Sequence, residues 1–282
     1  DSISIFKGKI FSNLIGNNIN TMYGDLKIEQ SSYQNGRDIF VFDNFTITSN
    51  FDSSNQRLIT INSPDIIDGK IEGKFDFEEV PKLVENSLGS IYAHFNYNKV
   101  KKGQYLRFDF AVYDKIIEIF YPEISLSSDT KINGSINADT NDFKLDLTSS
   151  KIEAFDNDIH AISLEIDNKN PLFNSFISID SIKNKWYKIT DFNLINITRK
   201  DSLIFRTEFK GGKNNDDYFN FDAYHTINKD NNNVVGFFKS ELKFKDYIWF
   251  LNEKDDDSNK IIFDKKFNSF NFDHFSLTHE IQ

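Results

Sequence analysis

The sequence has no cysteine, only one methionine and two tryptophans, and just four prolines and twelve glycines in 282 residues. Without cysteine there is no disulfide, no thiolate metal site and no cysteine nucleophile. The compartment stays open, because an oxidising space permits disulfides without requiring them. So little proline and glycine excludes collagen-like and linker-like sequence. No apolar run approaches the roughly 18 to 20 residues of a membrane-spanning helix, and the mean hydropathy is -0.49. Positive charge is also short, with 33 Lys and Arg against 43 Asp and Glu, for a net charge of -10. That balance excludes nucleic acid as a partner, since its phosphates need clustered cations. No signal peptide is expected in the opening residues, where Asp1 begins polar, strand-like sequence. The expectation is a segment cut from something longer.

Phenylalanine is abundant instead, at thirty residues, and much of it sits in alternating stretches. In "YLRFDFAVYD", Leu106, Phe108, Phe110 and Val112 fall on one side of an extended chain, opposite Tyr105, Arg107, Asp109 and Tyr113. The same period brings Phe45 and Ile47 together in "FTITSNF", and Ile132 and Ile136 in "TKINGSINAD". "FKLDLT" presents Phe143, Leu145 and Leu147, and "ISLEID" presents Ile162, Leu164 and Ile166. Leu203, Phe205 and Phe209 follow in "LIFRTEF", then Phe219 and Phe221 in "YFNFDAYHTI", then Phe238, Leu242 and Phe244 in "FFKSELKF". One wet face and one apolar face define half-buried strands. Short turn signals such as "NKDNNN" and "NEKDDDSN" separate them. The pattern predicts an all-β antiparallel meander forming one continuous segment over residues 1–282.

Two stretches depart from period two. "FEEVPKLVENSLGSIY" spaces Val80, Leu83, Val84, Leu88 and Ile91 as a helix does, with Pro81 tolerable in the first turn and Gly89 near the end. "YDKIIEIFYPEI" packs Ile116, Ile117, Ile119 and Phe120 ahead of Pro122 and predicts a second short helix. Helices of this kind suit the ends of a curled sheet better than the middle of a sandwich. If about 20 inward side chains each leave about 50 Å² uncovered, the trough exposes about 1,000 Å² of apolar surface, more than ordinary monomers show. Covering that area is worth about 25 kcal/mol, and acyl chains would do so without asking for hydrogen bonds. About 16 strands at about 4.8 Å spacing would make a trough of about 75 Å, a conduit rather than a pocket. Periodicity does not by itself choose trough over sandwich.

Chemistry-bearing motifs are scarce. His94, His160, His225, His274 and His279 share no metal-ligand spacing. "DDDS" at 255–258 lacks the spacing of a calcium loop and reads as a solvated turn. "GKIEGK" does not fit a phosphate-cradling frame, and no G-x-S-x-G elbow occurs. Trp186 and Trp249 read equally as core anchors or groove liners. No enzyme, cofactor or metal is expected.

Three longer stretches carry a resemblance. "GKIEGKFDFEEVPKLVENSL" (Gly69 to Leu88) resembles the strand-then-helix unit of TamB proteins of Bacteroidota type. "FAVYDKIIEIFYPEISLSSDTKINGSIN" (Phe110 to Asn137) is similar to that family's short helix followed by P-E-I-S-L-S-S-D-T-x-I-N-G. Asn231 to Gln282 resembles its unit with a Trp strand, a turn before I-x-F and a closing F-x-L strand. The three keep the family's order over most of the chain. The resemblance implies an AsmA-like protein of the bridge-like lipid transfer class: an elongated antiparallel sheet curled into a half-pipe, or β-taco, with an apolar groove. It implies a periplasmic location with an inner-membrane anchor and an outer-membrane barrel partner of the BamA and TamA kind. It also implies phospholipid acyl chains as cargo and a role in outer-membrane assembly. The family's N-terminal membrane anchor has no counterpart here, so an interior portion of the pipe is expected. The groove-lining set is then Phe45, Ile47 and the inward residues named above, through Phe244. The rivals are an outer-membrane β-barrel and a β-repeat scaffold or adhesin without lipid.

Overall fold

The computed structural model describes residues 4–36, 38–92 and 95–279, with the side chain of Ile116 left aside. His94 lies outside the described residues. The fold is all-β with two short helices, and the chain gathers into two compact units. Asp1–Glu85 with Asn98–Asp156 make the first, and Asn86–Tyr97 with Asn157–Gln282 the second.

Unit 1 contains β1 (Ser4–Ile15), β2 (Tyr23–Asn35), β3 (Asp38–Phe42), β4 (Phe45–Phe51), β5 (Arg57–Ser63) and β6 (Ile67–Lys74). Further along come β7 (Tyr105–Val112), β8 (Ile124–Leu126), β9 (Lys131–Asn137) and β10 (Asp142–Ala154). β1 pairs with β2, which pairs with both β3 and β4. The ladder then runs β4–β5–β6–β7–β9–β10, and β8 also pairs with β10. All these pairings are antiparallel. β3 with β4, and β8 with β9, are thus halves of single interrupted rows, giving eight rows. β1 pairs on one side only among the described residues, so this sheet keeps an open edge. Its register slips between Lys7 and Lys9, opposite Gln30, whose positive φ of 51° marks a bulge.

The helical expectations hold. A short 3₁₀ turn (Phe77–Glu79) leads into α1 (Val80–Gly89), and α2 spans Asp114–Phe120. Pro81 sits in the first turn of α1, where its absent N–H costs nothing. Tyr121 closes α2 by donating its N–H to Ile117 O, and Pro122 stops further helix. Leu83 of α1 is 1% exposed and Phe75 is buried; Phe77 of the 3₁₀ turn lies over Arg57 and plugs one end of unit 1, while α1 itself continues past Glu85 into residues of unit 2.

Unit 2 contains β11 (Asn157–Asp167), β12 (Ser175–Lys183), β13 (Lys188–Arg199), β14 (Ser202–Gly211) and β15 (Asp217–Ile227) as consecutive antiparallel neighbours. Its remaining rows are split. β16 (Asn233–Phe237) and β17 (Ser240–Phe244) both pair with β15. β18 (Tyr247–Leu251) and β19 (Lys260–Phe263) pair with β17 and β16 respectively. β20 (Phe270–Asp273) pairs with β19, and β21 (Leu277–His279) with β18. That again gives eight rows. Side-chain amides hold the interruptions together: Asn252, 2% exposed, donates to Phe237 O at 2.7 Å, and Asn259, equally buried, donates to His274 O at 2.9 Å. Asparagine can replace a missing backbone partner this way, because its short amide offers both donor and acceptor.

Candidate functional site

Register decides which side chains share a face, because directly opposed residues point the same way. In unit 1 one rung runs Ile47–Ile61–Gly69–Phe110–Ile132–Leu147 across six rows. The next but one runs Phe51–Arg57–Gly73–Leu106–Ile136–Phe143. Between them lie Ile59, Ile71, Phe108 and Leu145. Val112 extends the same face beside Ile67, and Phe45 extends it beside Ile28. All eleven sequence-predicted residues of this unit therefore share one face. Leu106, Ile136 and Phe143 are buried at the plugged end, whereas Phe45, Ile47, Phe108, Phe110, Val112, Ile132, Leu145 and Leu147 stay half-buried. Phe108 and Phe110 stack at 6.4 Å.

The opposite face of the same strands is charged. Lys70 lies across from Asp109, and Glu72 across from Arg107. Asn133, Ser135, Lys144 and Asp146 continue this surface over β9 and β10. Over β6, β7, β9 and β10 the sheet thus divides charge from apolar surface.

At the end of unit 1 near α2, the apolar face becomes a concavity of about 520 Å³. Phe6, Ile28, Tyr33, Phe42, Phe45 and Ile67 line it from the sheet, and Ile119 and Phe120 of α2 line its rim. Beside it, Lys115 of α2 donates to Asp65 at 2.6 Å and to Val41 O at 2.9 Å. Asp65 also accepts from the Asp43 N–H and the Ser63 hydroxyl, both at 3.0 Å. Burial pushes the Asp65 carboxyl up, but the Lys115, Asp43 and Ser63 hydrogen bonds outweigh it and hold it below the usual range.

At the plugged end, Arg57 is 4% exposed with its guanidinium 4.6 Å from the Phe51 ring and 4.9 Å from the Phe77 ring. Its Nη2 donates to Asn20 O at 2.7 Å, while Asn20 Oδ1 accepts the Phe77 N–H at 2.9 Å. Burial lowers the Arg57 pKa. Lys101 reaches Asp76, and that hydrogen bond raises the Lys101 pKa.

In unit 2 the matching face is aromatic. Ile162, Leu164 and Ile166 oppose Ile179, Ile177 and Ser175. Phe192 lies 6.0 Å from Phe209, which stacks on Phe219 at 4.5 Å and 17°. Phe219 opposes Leu242, which opposes Trp249. Phe205 sits between Asn196 and Ala223, and Leu203 between Thr198 and His225. Phe221 meets Phe237 edge-on at 5.7 Å. Two predicted residues stand apart. Phe238 falls at the interruption after β16 and turns to Tyr224, 5.4 Å away, so Phe237 takes the place on the ladder. Tyr224 lies against Gly236, where an added Cβ would come within 2.1 Å of the ring. Phe244 reaches the exposed hairpin end opposite Tyr247.

The tryptophans separate as well. Trp249 lies on the Phe219 ladder, but Trp186 is 81% exposed on the turn before β13, under Lys185. That turn is braced by Tyr187, whose hydroxyl donates to Asp217 at 2.6 Å. Burial and the Asp217 carboxylate push the Tyr187 pKa well up. Asp217 is itself buried and also accepts the Lys245 N–H. "DDDS" forms a turn in which Asp256 accepts from Ser258 N–H and hydroxyl. Among the described residues, no three metal-ligating side chains cluster and no helix is long and apolar enough to cross a membrane.

Sequence reading overlooked several members of the apolar face: Phe6, Ile28, Tyr33, Phe42, Phe192 and Leu194. β1 and β2 hide their alternation because the bulge at Gln30 interrupts it. Arg57 carried no signal at all. No protein-family model, curated protein or solved structure matches the chain.

Proposed function

We propose that this chain is a segment of a TamB-like periplasmic lipid conduit, in which the apolar face of each unit carries phospholipid acyl chains and does no covalent chemistry. The observation that carries the reading is the apolar concavity of about 520 Å³ in unit 1, set on a face whose reverse is charged. Water gains nothing from such a surface, and hydrocarbon covers it at about 25 cal/mol per Å². The half-burial of Phe108, Phe110, Ile132, Leu145 and Leu147 supports the same reading, because a finished core would bury them. In the half-pipe, head groups would stay in water while tails slide along the strands. Outer-membrane assembly and a BamA- or TamA-like barrel partner belong to the same proposal, through other parts of the protein.

Photo-crosslinking tests it directly. A photoreactive residue at Phe108 or Phe45 should capture phospholipid in a Gram-negative cell, and one at the outward Asp109 should not. Capture at Asp109 alone, or at none of the three, overturns the reading. Leu145→Asp should abolish lipid movement through the full-length protein while leaving its level nearly unchanged.

A further inference from the structure

The plugged end of unit 1 holds a buried cation with unused donors. Arg57 offers five N–H groups in a rigid fork, of which one reaches Asn20 O. The rings of Phe51 and Phe77 hold the fork flat without using its donors. Among the described residues Arg57 has no carboxylate partner, and the same is true of Lys74 and Lys102. These three and Lys101 line one cavity of about 230 Å³, with Asp76, already paired to Lys101, as the single carboxylate. Within the lining four cations face one carboxylate, in a chain of net charge -10, while Glu79 on the Lys101 N–H and Asp139 on the Gly103 N–H stand just behind the wall.

We propose that this cavity is an anion subsite that binds a phosphate group, with Arg57 as the bidentate contact, Lys102 as its flanking charge and Lys74, which leaves β6 on the other face from Arg57, as a cation at the outer rim. A phosphate fits because its oxygens match the guanidinium fork and its charge needs more than one cation. The site also stands at the end of the apolar face. Arg57, Ile59 and Ile61 follow one another on the same side of β5, and Arg57 shares its rung with Leu106, Ile136 and Phe143. A phosphate held there would set its ester substituents against Ile59. Resting on the conduit reading for this choice alone, the source of the phosphate is a lipid head group rather than free phosphate.

The test is a titration followed by amide and Arg Nε–H NMR signals, with inorganic phosphate, with dihexanoyl phosphatidylglycerol below its micelle concentration, and with sodium chloride at matched ionic strength. Phosphate should shift the Arg57 and Gly103 signals saturably, chloride should not, and Lys74→Gln with Lys102→Gln should weaken binding by about tenfold or more. Both lysines are exposed, so the double variant should keep the wild-type spectrum elsewhere. Non-saturable shifts, equal shifts with chloride, or unchanged affinity in the double variant overturn the site. Tighter binding of the short-chain lipid than of inorganic phosphate, by about tenfold, supports the head-group source. Equal affinities overturn that source and leave a site for free phosphate. Crosslinking at Phe108 reads the apolar face separately, so either proposal can fail without the other.

Discussion

The two units build the same eight-row sheet and hold it by different means. Unit 1 mixes aliphatic residues and rings on its face, with Ile47, Ile59, Ile61, Ile71, Ile132 and Ile136 set among Phe45, Phe108, Phe110 and Phe143 and beside Gly69, Gly73 and Gly134, and α2 borders one end of it. Each end also carries a charge: Arg57, buried between two rings, at one, and Asp65, half-buried under Lys115, at the other. Unit 2 runs rings along its face, from Phe192 through Phe209 to Phe219. Its split rows are sewn by Asn252 and Asn259, and its hairpin corner by Tyr187 and Asp217. The lesson is that a sheet with an incompletely covered apolar face must find rigidity at its margins. Polar side chains supply it in both units, charged in one and mostly neutral in the other.

The largest test of this contrast is truncation on the two faces. Phe143→Ala empties a fully buried site in unit 1 and should cost about 3 to 5 kcal/mol. Phe209→Ala, at a half-buried ring in unit 2, should cost about half as much. Hydrogen exchange should show the lost protection confined to the strands of the mutated unit. Spread of either effect over both sets of strands would break the two-unit description.

Next come the margins. Asp65→Ala removes three hydrogen bonds to a carboxylate and should cost about 2 to 3 kcal/mol near neutral pH. The Asp65 pKa is depressed in the folded state, so its contribution is complete above the ordinary Asp value of about 3.9. It is lost as pH falls through the lower folded value. Urea midpoints of wild type and variant should therefore converge on acidification. Tyr187 has the opposite sign: its pKa is raised, so its contribution is complete below the ordinary Tyr value of about 10 and fades as pH climbs through the folded value. Tyr187→Phe should cost about 1.5 to 3 kcal/mol at neutral pH and become progressively milder in alkali. Acid thus weakens the Asp65 margin of unit 1 and alkali the Tyr187 margin of unit 2, and a Tyr187 contribution that stays constant through this alkaline range would remove the distinction. The smallest effect belongs to Trp186→Ala, which should leave the midpoint within about 0.5 kcal/mol because the ring packs on nothing but Lys185.

Much of the fold could be read from residue order, because period two survives wherever a strand has one wet and one apolar face. Leu106, Phe108 and Phe110 opposite Arg107 and Asp109 needed no tertiary knowledge. Both helices were legible from spacing and from Pro81 and Pro122. The phase of a strand across an interruption was not legible. Nothing in "GFFKSELKF" tells that the chain breaks after Phe237, so Phe238 was counted with Leu242 although it turns toward Tyr224. β1, exposed along both sides, carries apolar residues on both and so shows no clean alternation. The Arg57 cavity was invisible for another reason. Its cations come from positions 57, 74, 101 and 102, which only folding collects.

The interruptions of unit 2 fall side by side, after Phe237, after Leu251 and after Asp273, and the amides of Asn252 and Asn259 bridge from one to the next. Three adjoining gaps make a crease, like a scored line in card. The ribbon can change direction there without surrendering its hydrogen bonds, since the amides supply what the ladder omits. Lengthening the side chain of Asn252 by one methylene, as in Asn252→Gln, should misplace its amide from Phe237 O and loosen that crease, seen as faster amide exchange in the strands on either side.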